Sequence, residues 1–127
     1  EGRTRSDYTP SEDDNVLVLG VSGDKGAMGY FGYAYYIENI KRLKLLGIDD
    51  GDGCVIPSEA SINDGTYSPL SRPLFIYVNT SEILRKEVYE FLKFYLENGQ
   101  MLAEEGGFVA LPQSMYDDGL AAIVNNK

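Results

Sequence analysis

The chain has no histidine and no tryptophan, and its single cysteine is Cys54. Without histidine, the commonest acid–base side chain, Ser-His triads and most zinc or transition-metal sites drop out together. One cysteine excludes an internal disulfide and says nothing about redox compartment, so Cys54 reads as a packed or partly exposed thiol. Basic residues are also scarce, 11 Lys and Arg against 20 Asp and Glu, for a net charge of −9. There is no basic patch to displace phosphate counterions, and a nucleic-acid partner is not expected. A small anion stays admissible as a ligand, because backbone N–H groups and helix N-termini bind anions whatever the global charge. Low-complexity tracts, internal repeats and apolar runs near the roughly 20 residues of a membrane span are all lacking. The opening residues, from Glu1, are polar, with no initiating Met and no signal peptide, which fits a mature product or an excised piece of something longer.

What is present is the composition of one globular domain. A chain of 127 residues buries about two-thirds of the surface its unfolded form exposes. The stretch that organises it is residues 65–78. Asn63-Asp64-Gly65 supplies the small, αL-tolerant residues of a tight reversal. Leu74-Phe75-Ile76-Tyr77-Val78 is a continuous apolar, β-branched and aromatic run, as in a strand covered on both faces. Pro69 and Pro73 hold their preceding residues extended. With helical sequence on either side, this is either a strand crossing between two lobes or an ordinary buried strand after a loop.

Taken in order, residues 1–10 are polar, and Arg3 and Arg5 are spaced to clamp an anion or to stand as solvated charge. Ser11-Glu12-Asp13-Asp14 reads as a helix start, with Ser11 as cap, followed by Val16, Leu17, Val18, Leu19 and Val21. Residues 20–26 look like a phosphate-cradling loop in composition but lack the Gly-x-x-x-x-Gly-Lys-Ser/Thr spacing; a helix-to-strand turn is the better reading. Residues 27–33 are expected to be a short strand whose glycines, Gly29 and Gly32, allow close approach by another backbone or a ligand. Tyr33, Tyr36, Ile37, Ile40 and Leu43 recur at helical spacing, predicting a helix to about Leu46; its tyrosines are core and rim residues or a stacking platform. Asp49-Asp50-Gly51-Asp52 resembles a calcium loop in composition alone, since Cys54 and Val55 fall where an oxygen ligand and a Gly are needed. No metal site and no cofactor are expected.

A short helix is predicted over residues 58–62. Thr80 or Ser81 caps the clearest helix, with Ile83, Leu84, Val88, Phe91, Leu92, Tyr95 and Leu96 on one face and Asn98-Gly99 at its end. A second short helix covers residues 100–105, residues 108–112 are extended, and residues 114–124 close as a helix with Met115, Tyr116, Leu120 and Ile123 inward. The acidic pairs Asp13/Asp14 and Asp49/Asp50 are explained by a helix cap and a loop, which leaves little ground for acid–base catalysis.

Three stretches together resemble the phosphate-binding proteins of bacterial phosphate ABC transporters, the PstS family: residues 11–18, residues 23–36 (Gly-Asp-Lys-Gly-Ala-Met-Gly-Tyr-Phe-Gly-Tyr-Ala-Tyr-Tyr), and residues 63–78 (Asn-Asp-Gly-Thr-Tyr-Ser-Pro-Leu-Ser-Arg-Pro-Leu-Phe-Ile-Tyr-Val). Phe108-Val109-Ala110-Leu111-Pro112 is similar to the family's closing segment. The resemblance implies an α/β chain, part of a type II periplasmic-binding-protein-like two-lobed fold with mixed sheets flanked by helices. It assigns residues 1–68 to the second lobe, residues 69–78 to a crossing strand at the hinge with Pro69 and Pro73, and residues 79–127 to the carboxy-terminal part of the first lobe.

The implied function is solute binding, not catalysis: the inorganic-phosphate-binding component of an ABC-type importer, outside the cytoplasmic membrane, working with permease subunits. Anion binding closes the lobes, and a carboxylate acceptor in the dry cleft demands a proton that hydrogen phosphate has and sulfate lacks. The family's anion site uses an Arg followed by Ser-Gly-Thr at a helix start. No Ser-Gly-Thr occurs here, and Ser22-Gly23-Asp24 departs from it at the third residue. None of the main ligands is carried over, and the chain reads as a carboxy-terminal portion whose missing lobe comes from elsewhere. Gly32 and Tyr33, at a strand end, are the candidate cleft rim. The alternative is a structural or protein-interaction domain that kept the fold and lost the anion.

Overall fold

The computed structural model describes residues 6–125. Arg3 and Arg5 lie outside the described residues. The chain forms two compact units, one ending at Lys44 and one beginning at Leu45.

In the first unit, helix α1 spans Asp14–Gly23 and α2 spans Tyr33–Glu38. The cap of α1 is Asp13, two residues beyond the expected Ser11: its Oδ1 accepts from Asn15 N at 2.9 Å, while Ser11 Oγ accepts from Asp13 N at 3.0 Å. Of the apolar residues of α1, Val18 is buried, whereas Val16 and Leu19 stay exposed. Residues 27–32 form no strand; among the described residues no second chain segment lies in register to pair with them. The close approach expected at Gly29 is present, since a Cβ there would press on the Val21 side chain and the Phe31 ring. Helix α2 is much shorter than the predicted run to Leu46. Asn39 ends it: its Nδ2 donates to Tyr35 O at 2.9 Å and its N to Tyr36 O at 2.9 Å, the local side-chain competition that makes Asn a poor helix-interior residue.

The second unit opens with an antiparallel hairpin, β1 (Ile48–Asp49) and β2 (Cys54–Val55), in which Ile48 pairs with Val55 and Asp49 with Cys54. Gly47 is required beside it, because any side chain there would collide with Cys54 Sγ. Helix α3 (Glu59–Asn63) has a full capping box: Ser58 Oγ accepts from Ser61 N, and Ser61 Oγ accepts from Ser58 N. After the turn at Gly65, whose φ of 77° suits glycine, the chain reaches α4 (Lys86–Glu97), α5 (Gly99–Glu105) and α6 (Gln113–Asn125).

Helices α4 and α6 pack together around the buried residues Ile83, Leu92 and Ile123, with Val88, Leu96 and Leu120 partly buried against them. Tyr116, also buried, lies against Gly99 where no Cβ would fit. Met115, expected inward, is exposed. Residues 80–85 precede α4 as turns, not as its first turn; Asn79 organises them, its Oδ1 accepting from Ser81 N and Ser81 Oγ. Neither Thr80 nor Ser81 is the cap, a place taken by Arg85 without a side-chain capping bond.

The sheet among the described residues is the two-stranded hairpin rather than the mixed sheets expected, and the rest of them are helix and loop. One expectation is corrected. Residues 74–78 are not a strand buried on both faces: they have no ladder partner, and Leu74, Phe75, Ile76 and Tyr77 are 68%, 69%, 52% and 90% exposed. The physical reason is the same in both cases. A strand needs a neighbour for its N–H and C=O groups, and these residues contain none in reach.

Candidate functional site

Gly32 is the N-cap of α2, so its backbone N–H stands at the positive end of a short helix. That N–H points at a carboxylate of the chain's own, Asp14 Oδ2, at 3.4 Å. Tyr33 is the first helical residue; its half-buried ring lies 6.0 Å from that of Tyr36, tilted by 32°. Nearby, Arg42 Nη2 donates to Ser22 Oγ at 2.8 Å across twenty residues of sequence, a cation–hydroxyl pairing that the separate reading of the two segments missed.

The loop that resembled a phosphate cradle is satisfied internally. Asp24 accepts from Gly26 N through Oδ1 at 2.8 Å and from Ala27 N through its carbonyl at 3.1 Å. The acidic loop of the hairpin behaves alike: Asp49 Oδ1 accepts from Gly51 N and Gly53 N at 2.9 and 3.1 Å, and Asp50 Oδ2 accepts from Ser68 Oγ at 2.6 Å. Among the described residues no cluster of three or more His, Cys, Asp and Glu is placed to hold a metal ion.

Pro69 and Pro73 are exposed, and the Ser68–Pro69 peptide is cis. Just before them, Asp64 Oδ1 accepts from Thr66 Oγ1 at 2.6 Å and from Thr66 N at 2.9 Å. The hydroxyl first, then the amide, holds the Asp64 carboxyl below its ordinary range. Beyond them lies a groove of about 430 Å³, lined by Ile76, Tyr77, Val78, Val88, Phe91 and Leu92 together with Asn79, Glu82 and Glu87. Its charge is wrong for an anion. Arg85 is engaged at 3.0 Å by both Glu82 and Glu87. Those bonds raise the Arg85 guanidinium further, while Glu87 is lowered first by a bond to its own backbone N–H and then by Arg85. Gly32 and Tyr33 do not line this groove.

Among the described residues, the backbone donors of Gly26, Gly32 and Gly51 are thus taken up by the chain's own carboxylates. No protein-family model matches the chain. It is 46% identical over 125 residues to Protein SphX of Synechococcus elongatus, a match covering 98% of this chain and 37% of that protein. To the phosphate-binding protein PstS of Staphylococcus aureus it is 44% identical over 110 residues, covering 85% of this chain and 33% of that one. A crystal structure of a possible phosphate binding protein from Planctomyces limnophilus superimposes on 96% of this chain with a TM-score of 0.83 and 47% identity, and 44% of that chain is matched. The chain thus spans a third to under half of the length of these relatives. Over nearly all of its own length, it resembles the phosphate-binding proteins of the PstS type.

Proposed function

We propose that this chain is the carboxy-terminal portion of the phosphate-binding component of an ABC-type phosphate importer, acting outside the cytoplasmic membrane and handing its anion to permease subunits. The observation that carries the reading is the near-complete match, at 44–47% identity, to proteins named for phosphate binding. It is a binding role, not an enzymatic one. The main anion ligands, an Arg and a Ser-Gly-Thr helix start, belong to the portion of the relatives that this chain does not span. Residues 1–68 contribute to the second lobe and residues 79–127 to the first, with residues 69–78, stiffened by Pro69 and Pro73, crossing between them. Gly32 and Tyr33 stand at the rim of the cleft, where the Tyr33 hydroxyl adds a donor to an anion held mainly by the other portion.

Among the described residues, the donors at Gly32, Gly26 and Gly51 are taken up by Asp14, Asp24 and Asp49. No helix among them is long and apolar enough to cross a membrane.

The test is a chimera in which these 127 residues replace the matching segment of the Staphylococcus aureus protein. The reading expects saturable binding of phosphate, but not sulfate, by equilibrium dialysis. A folded chimera that binds neither anion would favour the alternative, a domain of the same fold turned to structural or interaction duty.

A further inference from the structure

The chain holds one Asn-Gly pair, Asn98-Gly99, at the joint between α4 and α5. A side-chain amide followed by glycine is open to attack by the next backbone nitrogen, because glycine puts no Cβ in the way. Four Asp-Gly pairs share that spacing, at 50–51, 52–53, 64–65 and 118–119, and the structure restrains each of them. Asp49 Oδ1 accepts from both Gly51 N and Gly53 N. Thr66 holds the Asp64 carboxylate by two bonds, and Gly119 lies inside α6. Gly99 differs: as the first residue of α5, it has no acceptor for its N–H within that helix. The Asn98 side chain is turned back on α4, its Nδ2 donating to Phe94 O at 2.8 Å. In this closed arrangement the pair is held apart. Cyclisation requires Gly99 N to swing to the Cβ side of Asn98, whereas at a ψ of 14° it lies nearly eclipsed with Asn98's own N. Gly99 is also buried against the Tyr116 ring, with no room for a Cβ between them, so the swing waits until that contact parts. Helix α5 has seven residues, too few to stand alone, and it parts by local opening.

We propose that Asn98 is a deamidation site gated by the contact of Gly99 with Tyr116, and that its isoaspartyl product keeps α5 away from α6. In the open form Gly99 N bonds to Asn98 Cγ and the Cγ–Nδ2 bond breaks. Nδ2 leaves as ammonia, taking up the proton that Gly99 N gives up. Solvent water then opens the cyclic imide at either carbonyl, giving the aspartyl or the isoaspartyl chain, and nothing is oxidised or reduced. Either product has a carboxylate where the amide stood. It cannot donate to Phe94 O, and it sets negative charge at the negative end of α4. The isoaspartyl product also lengthens the backbone by one methylene, just where Gly99 has to meet the ring.

The inference is independent of anion binding, and the experiment omits the anion. The 127-residue chain and a free peptide of residues 94–104 are incubated side by side in warm, mildly alkaline buffer. Acid formed at position 98 is followed by peptide mapping, the isoaspartyl form by enzymatic methyl transfer, and the opening of α5 by hydrogen exchange. The folded chain is expected to react at Asn98 more slowly than the peptide by the same factor, within about threefold, by which the amides of residues 102–103 are protected. Tyr116→Leu is expected to speed the reaction at Asn98 roughly tenfold and to leave Asn39, in the first unit, unaffected. Should that variant not fold, the comparison of chain with peptide decides alone. A folded chain as fast as the peptide, or one inert at Asn98 while those amides exchange, overturns the proposal. So does a folded Tyr116→Leu chain with an unchanged rate, or an isoaspartyl chain in which residues 102–103 are protected as before.

Discussion

Asp64 shows how much one short side-chain contact governs at the turn that leads into Pro69. Thr66 donates to its carboxylate twice, and the folded carboxyl titrates below the ordinary value of 3.8. A depressed carboxylate contributes its stability above the unfolded value and loses it as the pH falls through the folded one. Asp64 therefore supports the turn at neutral pH and releases it only in the acid range beneath 3.8. Thr66→Ala removes the largest cause, so the Asp64 midpoint, followed by carboxyl-carbon NMR, should rise toward 3.8; an unmoved midpoint would show that the hydroxyl is not what holds it down. Tyr33 is the residue-scale test of the proposed cleft rim. In the complete chimera, Tyr33→Phe should weaken phosphate binding by about tenfold, the value of one hydrogen bond to a charged group. Unchanged affinity would take Tyr33 out of the site.

At the scale of elements, the helices were the legible part. Residues 100–105 and 114–124 were expected as helices and are found as Gly99–Glu105 and Gln113–Asn125, because apolar spacing and glycine or proline punctuation both mark them. Where the reading failed, a side chain outside the periodic pattern decided the matter. Asn39 stops α2 early, and Asn79 folds residues 80–84 into turns before α4 begins. The predicted strands failed for another reason: alternation and β-branching describe a residue's fitness for a sheet, but the ladder itself is supplied by a neighbour, and residues 27–32 and 74–78 have none here. The candidate rim, Gly32 and Tyr33, was legible as a strand-to-helix junction and is found at the cap of α2 without the strand. The contact between α5 and α6 could not be read at all. Gly99 looked like a helix stop, yet it is also the place where the Tyr116 ring fits. Gly99→Ala should accordingly destabilise the second unit by about 1–3 kcal/mol, seen as a lower urea midpoint. A midpoint that stays put or rises, as helix propensity alone would have it, would mean the ring moves aside freely.

For the molecule as a whole, the contrast is between a sequence that carries the likeness of a phosphate-binding protein almost from end to end and a structure with a small core. Few apolar residues among those described are buried, Val18, Ile83, Leu92, Tyr116 and Ile123 with Pro57, while Leu74, Phe75, Ile76 and Tyr77 lie in water. Both facts follow if the fold is shared with a further portion of polypeptide that also holds the anion's main ligands. The most direct measurement is a calorimetric titration of inorganic phosphate into the 127-residue chain, with sulfate as control. The account predicts no saturable heat from either anion. Saturable binding of phosphate alone would contradict it, placing a working anion site within these residues.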